Sequence, residues 1–327
     1  MARHPTILFV CEKWAECDPQ HGLSNAHSNF IGSFRASGMG KYDCFFFDEH
    51  AWQTGTACDD ALVQTCAEAH PDLVFVTPVR GSDLNPKPET LARLRTQTGA
   101  RIAVLNGDTF DEDGVRWCEG FADAADRIIV QDCYSLYPSR ASDPAKYLAT
   151  WTPQDPSLFH RGTEDRSIAV SFLGSVARYP DRKRALGLLA AAGITVRHGG
   201  GQAEGVLSVD EYAETMRRSK IVLNFARPVF DHPVAQCKGR VIEATLSGAL
   251  LIEQANPETQ RWLTPGVHYV TFDGERDLVT KVRYFLEHDE ERARIASSGT
   301  THAESCLSAE AYWRRVLDAL LPAEALA

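Results

Sequence analysis

Short apolar runs alternate with amphipathic stretches along almost the whole chain, in two successive series. The first places strands at Ile7 to Val10, Cys44 to Phe47, Leu73 to Val76, Ile102 to Leu105 and Ile128 to Val130, with helical patterns near 25–36, 59–69, 89–96, 115–122 and 135–139. The second places strands at Ile168 to Leu173, Thr195 to Arg197, Ile221 to Asn224, Ala249 to Ile252 and His268 to Thr271. Its helices are better marked. Ser208-Val209-Asp210-Glu211 fits a capping box, in which serine and glutamate each satisfy an exposed backbone donor, so a helix should start there. Leu278, Val279, Val282, Phe285 and Leu286 share one helical face, a break follows near His288-Asp289, and Trp313, Val316, Leu317 and Leu320 form a final apolar stripe.

Strand and helix in alternation imply parallel sheets wound by helices on both faces. The proline-rich polar stretch Ala149 to Gly162 separates the two series. We therefore expect an N-terminal domain over 1–150, a linker over 151–166, a C-terminal domain over 167–307 and a closing helix over 308–327 that is free to pack back on the N-terminal domain. A length of 327 residues suits two such cores. Ligands of open α/β sheets sit beyond the carboxyl ends of the strands, so two such domains would bind across the cleft between them.

Charge narrows the possible partners. With 34 basic and 44 acidic residues the formal charge is −10, which argues against nucleic acid or an anionic membrane, since both require a basic surface. The opening apolar run, Ile7 to Cys11, is too short for a signal-peptide core or a membrane span, which predicts a cytoplasmic protein with no integral membrane segment. Nine scattered cysteines with no Cys-x-x-Cys pair read as small buried hydrophobes, with no zinc or disulfide framework.

The densest chemistry lies in Lys238 to Ile252, where a helix carrying Glu243 ends at Gly248 and runs into an apolar strand. A carboxylate near a helix start can accept two hydrogen bonds from a vicinal diol such as a ribose, although a solvated acid in an ordinary helix-to-strand turn has the same pattern. Val170 to Ser175 is a strand ending in a Gly174-Ser175 turn, followed by Arg182-Lys183-Arg184 at a helix start. Backbone donors and cations in that arrangement suit an anionic group such as a phosphate, with Arg178 as a further cation or a solvated loop residue. The turn His198-Gly199-Gly200-Gly201 would let a base ring approach the backbone, and a flexible glycine turn explains it equally well. In the first half, Asp108 follows the strand Ile102 to Leu105 and could act as a general base, although Asn106-Gly107-Asp108 is equally a common structural turn, and His21 and His27 are alternatives without metal-site spacing.

These pieces, in this order, together with Ile221 to Asn224, Pro265 to Phe272 and Glu290 to Ala296, resemble the GT-B glycosyltransferases over about residues 165–320. Within them the similarity is to the spore-maturation-type group with a glycosyltransferase family 1-like C-terminal domain. The resemblance implies two Rossmann-like domains and a glycosyltransferase that takes a nucleoside diphosphate sugar, UDP-linked, as donor, with no obligatory cofactor or metal and an unidentified acceptor hydroxyl on a glycan, protein or small molecule. It further implies donor contacts at Gly174, Ser175, Arg182, Asn224, Arg240 and Glu243, and acceptor chemistry at Asp108 or His21. Retaining relatives show a Glu-x7-Glu pair whose second member corresponds to Glu243, but the first position is Ala235, which leaves Asp231 or His232 for the sugar hydroxyls. A nicotinamide oxidoreductase is disfavoured because Cys11-Glu12-Lys13-Trp14 follows the first strand where Gly-x-Gly-x-x-Gly is needed. A nucleotide-sugar epimerase of the same architecture and a noncatalytic nucleotide-sugar-binding protein remain alternatives.

Overall fold

The structure, a computed structural model, describes residues 4–137, 140–162, 165–200, 205, 207–229 and 231–322. Strands β1 (Thr6–Cys11), β2 (Lys41–Phe46), β3 (Leu73–Thr77), β4 (Arg101–Asn106), β5 (Arg127–Val130) and β6 (Tyr147–Ala149) form one parallel sheet in the order β2-β1-β3-β4-β5-β6. Strands β7 (Ile168–Leu173), β8 (Val196–Gly199), β9 (Ser219–Asn224), β10 (Leu250–Gln254) and β11 (Val270–Phe272) form a second, in the order β11-β10-β9-β7-β8. Both are Rossmann-like sheets with helices between successive strands. Burial follows position in the sheet: central β3 is buried throughout, whereas edge strand β2 alternates exposed and half-buried residues over its first four positions.

Chain contacts divide the molecule into one unit of Met1–Asp155 with Ala309–Ala327 and another of Pro156–Ser308. The polar stretch expected as linker is not a solvated tether at its start, because Trp151, Thr152, Gln154 and Asp155 are all buried. The final helix, Ala309–Leu320, packs back on the first unit as the apolar stripe allowed. Trp313 is fully buried, with its ring edge-on to Phe9, Phe34 and Phe75 at 5.6, 5.0 and 5.2 Å, and its indole N–H donates to Ser33 Oγ at 2.9 Å.

Three local readings change. Phe47 opens a helix, Phe47–Thr54, instead of ending a strand. The buried carboxylate of Asp48, in that helix's first turn, accepts the backbone N–H groups of Lys13 and Trp14 at 2.7 and 3.0 Å, which ties down the loop after β1. The helix expected at 135–139 is a 3-10 turn at Tyr134–Leu136, with 138 and 139 outside the described residues. Tyr147–Ala149 adds an edge strand too short to show a period in the sequence.

Candidate functional site in the second sheet

From β7 the chain winds to β8 on one side of the sheet and then returns to β9, β10 and β11 on the other, so strand order reverses between β7 and β9. Such a switch point leaves a crevice beyond the strand ends. Gly174 and Ser175 leave β7 there, and the Gly174 N–H donates to the Gly199 carbonyl at the end of β8 at 2.8 Å. Gly200 follows in the left-handed region at φ +82, and a side chain added to it would meet the Gly174 nitrogen at 3.6 Å and the Tyr212 ring at 3.8 Å. Gly201 lies outside the described residues.

Arg240 reaches this turn from the helix Gly239–Leu246. Its Nη2 is only 2.5 Å from where a Cβ on Gly174 would stand, so glycine is required for the guanidinium to lie against the backbone. Arg240 Nη1 donates to Asn224 Oδ1 at 2.7 Å, and the guanidinium sits 4.9 Å from the Phe172 ring centre. Asn224 ends β9 and is fully buried.

Glu243 lies one turn further along the same helix. The expectation that it sits at the helix start is corrected, since the first turn holds no acidic residue. What orients the carboxylate is Tyr212, whose hydroxyl donates to Glu243 Oε2 at 2.7 Å from the helix Val209–Arg217. The Ser208–Glu211 capping box that starts this helix is present with both of its bonds. Burial pushes Glu243 up from the ordinary glutamate range, with the Tyr212 bond and the Arg240 charge opposing, and burial and the Glu243 charge push the Tyr212 phenol well above its usual range. Gly248 ends the segment at φ +75, the left-handed conformation expected of it.

Arg182 is buried against this turn. Its Nη1 donates to the Ser175 carbonyl at 3.0 Å and its guanidinium stacks 3.7 Å over the Tyr179 ring. Gly174, Ser175, Arg182, Asn224, Arg240 and Glu243 are thus brought together at one strand-end region of the second sheet. Ala235 is buried, so no carboxylate stands eight positions before Glu243. Asp231 is exposed, and His232 Nδ1 accepts the Val234 N–H at 3.2 Å.

Two site residues escaped the sequence reading. Tyr212 carried no signal beyond its place one turn into a capped helix. Glu253 did carry one, a charge directly after the apolar run Ala249 to Ile252, and it is fully buried within β10. Its Oε1 accepts from Asn224 Nδ2 at 2.8 Å, and from Asn256 Nδ2 and Thr259 Oγ1 at 3.1 Å each. Burial pushes this carboxyl up to about 7 against those bonds and the Arg227 charge.

The first unit holds the remaining candidates. Asp108 is exposed two residues beyond β4, in a left-handed conformation at φ +54 that a non-glycine residue adopts at a cost. His21 is exposed in a 3-10 turn and pairs with Glu16 at 3.4 Å. His27 stacks on Phe46 at 5.1 Å, and burial holds its imidazole below the usual range. Glu12, directly after β1, accepts from Ser24 Oγ at 2.6 Å and is raised by burial, which adds a carboxyl at this sheet's own switch point between β1 and β3. No cluster of three metal-ligating side chains occurs among the described residues, and none of their helices is long and apolar enough to cross a membrane.

Residues 159–321 match the family model described as glycosyl transferase-like. No curated protein matches the chain in sequence. Among solved structures, HepE of Anabaena in complex with UDP and glucose is similar at 13% identity and a TM-score of 0.64, over 96% of this chain and 99% of that one. Sucrose-phosphate synthase of Thermosynechococcus elongatus aligns at 12% identity and 0.62, over 95% and 97%. A glycosyltransferase of Rickettsia africae aligns at 9% and 0.61, over 96% and 97%. The chain has the GT-B glycosyltransferase fold, with residues 159–321 similar to the glycosyl transferase-like family.

Proposed function

We propose that this protein transfers a glycosyl group from a nucleoside diphosphate sugar, UDP-linked, to an acceptor hydroxyl, without an obligatory metal. The observation that carries this reading is the meeting of a cation, a glycine turn and an oriented carboxylate at the switch point of the second sheet. In this reading the Arg240 guanidinium and the backbone N–H of Ser175, in a turn whose Gly174 N–H is held by the Gly199 carbonyl, take up the charge that grows on the diphosphate as the glycosidic bond breaks. Glu243, with one oxygen held by Tyr212, accepts the ribose hydroxyls. Arg182, bonded to the Ser175 carbonyl, keeps the turn in shape. The bound UDP and glucose of the HepE relative support this choice of donor.

On the acceptor side, Asp108 removes the proton from the attacking hydroxyl, with His21 the second candidate in the first unit. With Ala235 in place of a first glutamate, the donor sugar is held by other groups, for which Asp231 and His232 are the nearest candidates in sequence. Incubation with UDP-glucose and other UDP-sugars in EDTA tests the reading. Release of UDP with a transferred or hydrolysed sugar is the expected result. A changed sugar still attached to UDP would establish an epimerase instead, and the absence of any UDP binding in calorimetry would refute the donor assignment.

A further inference from the structure

Glu253 is hard to explain as a fold element. It is fully buried in a strand whose other members are Leu250, Leu251, Ile252 and Gln254, where an apolar side chain would avoid the cost of desolvating a carboxyl. It faces Asn224 in register across β9 and β10, and Asn224 is as deeply buried. Three donors, from Asn224, Asn256 and Thr259, converge on Oε1, while Oε2 has no hydrogen-bond partner among the described residues.

This geometry constrains the Asn224 amide. An amide can be turned over, exchanging its oxygen and nitrogen, unless its neighbours choose one orientation. Turned over, Asn224 would point its oxygen at the oxygen of Glu253 and its N–H2 at the guanidinium of Arg240, two repulsive contacts in place of two bonds. As placed, Nδ2 donates to Glu253 and Oδ1 is left to accept from Arg240. A proton on Glu253 would reside on Oε2, so Oε1 keeps its acceptor role in either protonation state.

We propose that Glu253 is a positioning residue for the donor site, fixing the amide of Asn224 and, through it, the guanidinium of Arg240 against the Gly174 turn. The inference rests on the reading that Arg240 receives the diphosphate, and it adds a residue with no expected contact to the ligand.

Reversing the polarity of the pair tests it. Asn224→Asp sets two carboxyls against each other, and UDP affinity by calorimetry should fall at least tenfold. Adding Glu253→Gln supplies an N–H2 donor to the introduced carboxylate, with the Thr259 hydroxyl turning to accept the other N–H and Asn256 keeping its bonds to the Gln236 carbonyl and Thr259 Oγ1; the second carboxylate oxygen again accepts from Arg240, so the double variant should return to within about threefold of wild type. Glu253→Gln alone, which retains an oxygen acceptor, should stay within about twofold. If Asn224→Asp alone does not fold, recovery of folding and affinity in the double variant is the restoring result. A double variant that stays as weak as Asn224→Asp, or stays unfolded, overturns the relay.

A ligand-free arm separates this inference from the donor assignment. Arg240→Met should lower the urea midpoint more in the Asn224→Asp/Glu253→Gln background than in wild type, because the bond from Arg240 to the introduced carboxylate carries charge on both partners. Equal shifts overturn the relay even if wild type binds no UDP, and wild type failing to bind UDP would refute the donor reading on its own.

Discussion

Glu253→Gln makes a prediction about stability whose size and sign both follow from burial. A glutamate in an unfolded chain titrates near 4.3, whereas Glu253 in the fold is pushed up to about 7 by desolvation. Between those values the unfolded chain has lost the proton and the native protein still holds it. Stability therefore declines as pH rises through this window, and above about 7 the native state bears the full cost of a buried charge. That separation corresponds to about 4 kcal/mol, of which about 2–3 kcal/mol should develop between pH 5 and pH 8. Glutamine does not ionise. Urea unfolding of both proteins across this range should show the variant gaining on wild type as pH rises, then running parallel to it above about pH 8. Any fixed penalty from the new amide cancels in the pH dependence, as do the other titrating groups shared by both proteins. A difference between variant and wild type that is flat from pH 5 to 8 would refute the reasoning, since it would mean that the carboxyl ionises in the fold as readily as in the unfolded chain.

Four further outcomes are expected. Glu243→Ala should weaken UDP binding by about 1–3 kcal/mol through loss of charge-assisted hydrogen bonds, and unchanged affinity in calorimetry would remove Glu243 from the ribose site. Gly174→Ala should cost about 1–2 kcal/mol of UDP affinity, because the new methyl group occupies space 2.5 Å from Arg240 Nη2, and a crystal structure should show that guanidinium displaced. Asp108→Asn should lower kcat by 100-fold or more on the scale of about 10²–10⁴ for general-base removal, leaving UDP affinity intact; if His21→Asn has that effect instead, the base is His21. Trp313→Ala should destabilise the first unit by about 3–5 kcal/mol in thermal or urea unfolding, as the final helix loses its anchor among Phe9, Phe34 and Phe75.

Local pattern alone was enough to locate most elements of both sheets, because a buried parallel strand is an apolar run and a covering helix is an apolar stripe, and both are written within a few consecutive residues. The Ser208–Glu211 cap, the left-handed Gly248 and the apolar face around Trp313 were legible for the same reason. Gly174 and Glu243 stood out in sequence as a glycine turn after a strand and a charge on one short helix, which are local features, whereas Arg240 was a candidate through the family resemblance alone. Tertiary structure decided which of these meet. Placing β9 between β7 and β10 sets Asn224 beside Glu253 and within reach of Arg240, and crossing the helix Val209–Arg217 over the helix of Glu243 supplies Tyr212 from 31 residues away. It also bonded Arg182 to the Ser175 carbonyl and set Arg240 against Gly174, contacts that two arginines near helix starts do not reveal in sequence. Hydrophobic periodicity reports whether a residue is buried. Strand order and crossover determine what it is buried against, and the chemistry of this site depends on the second.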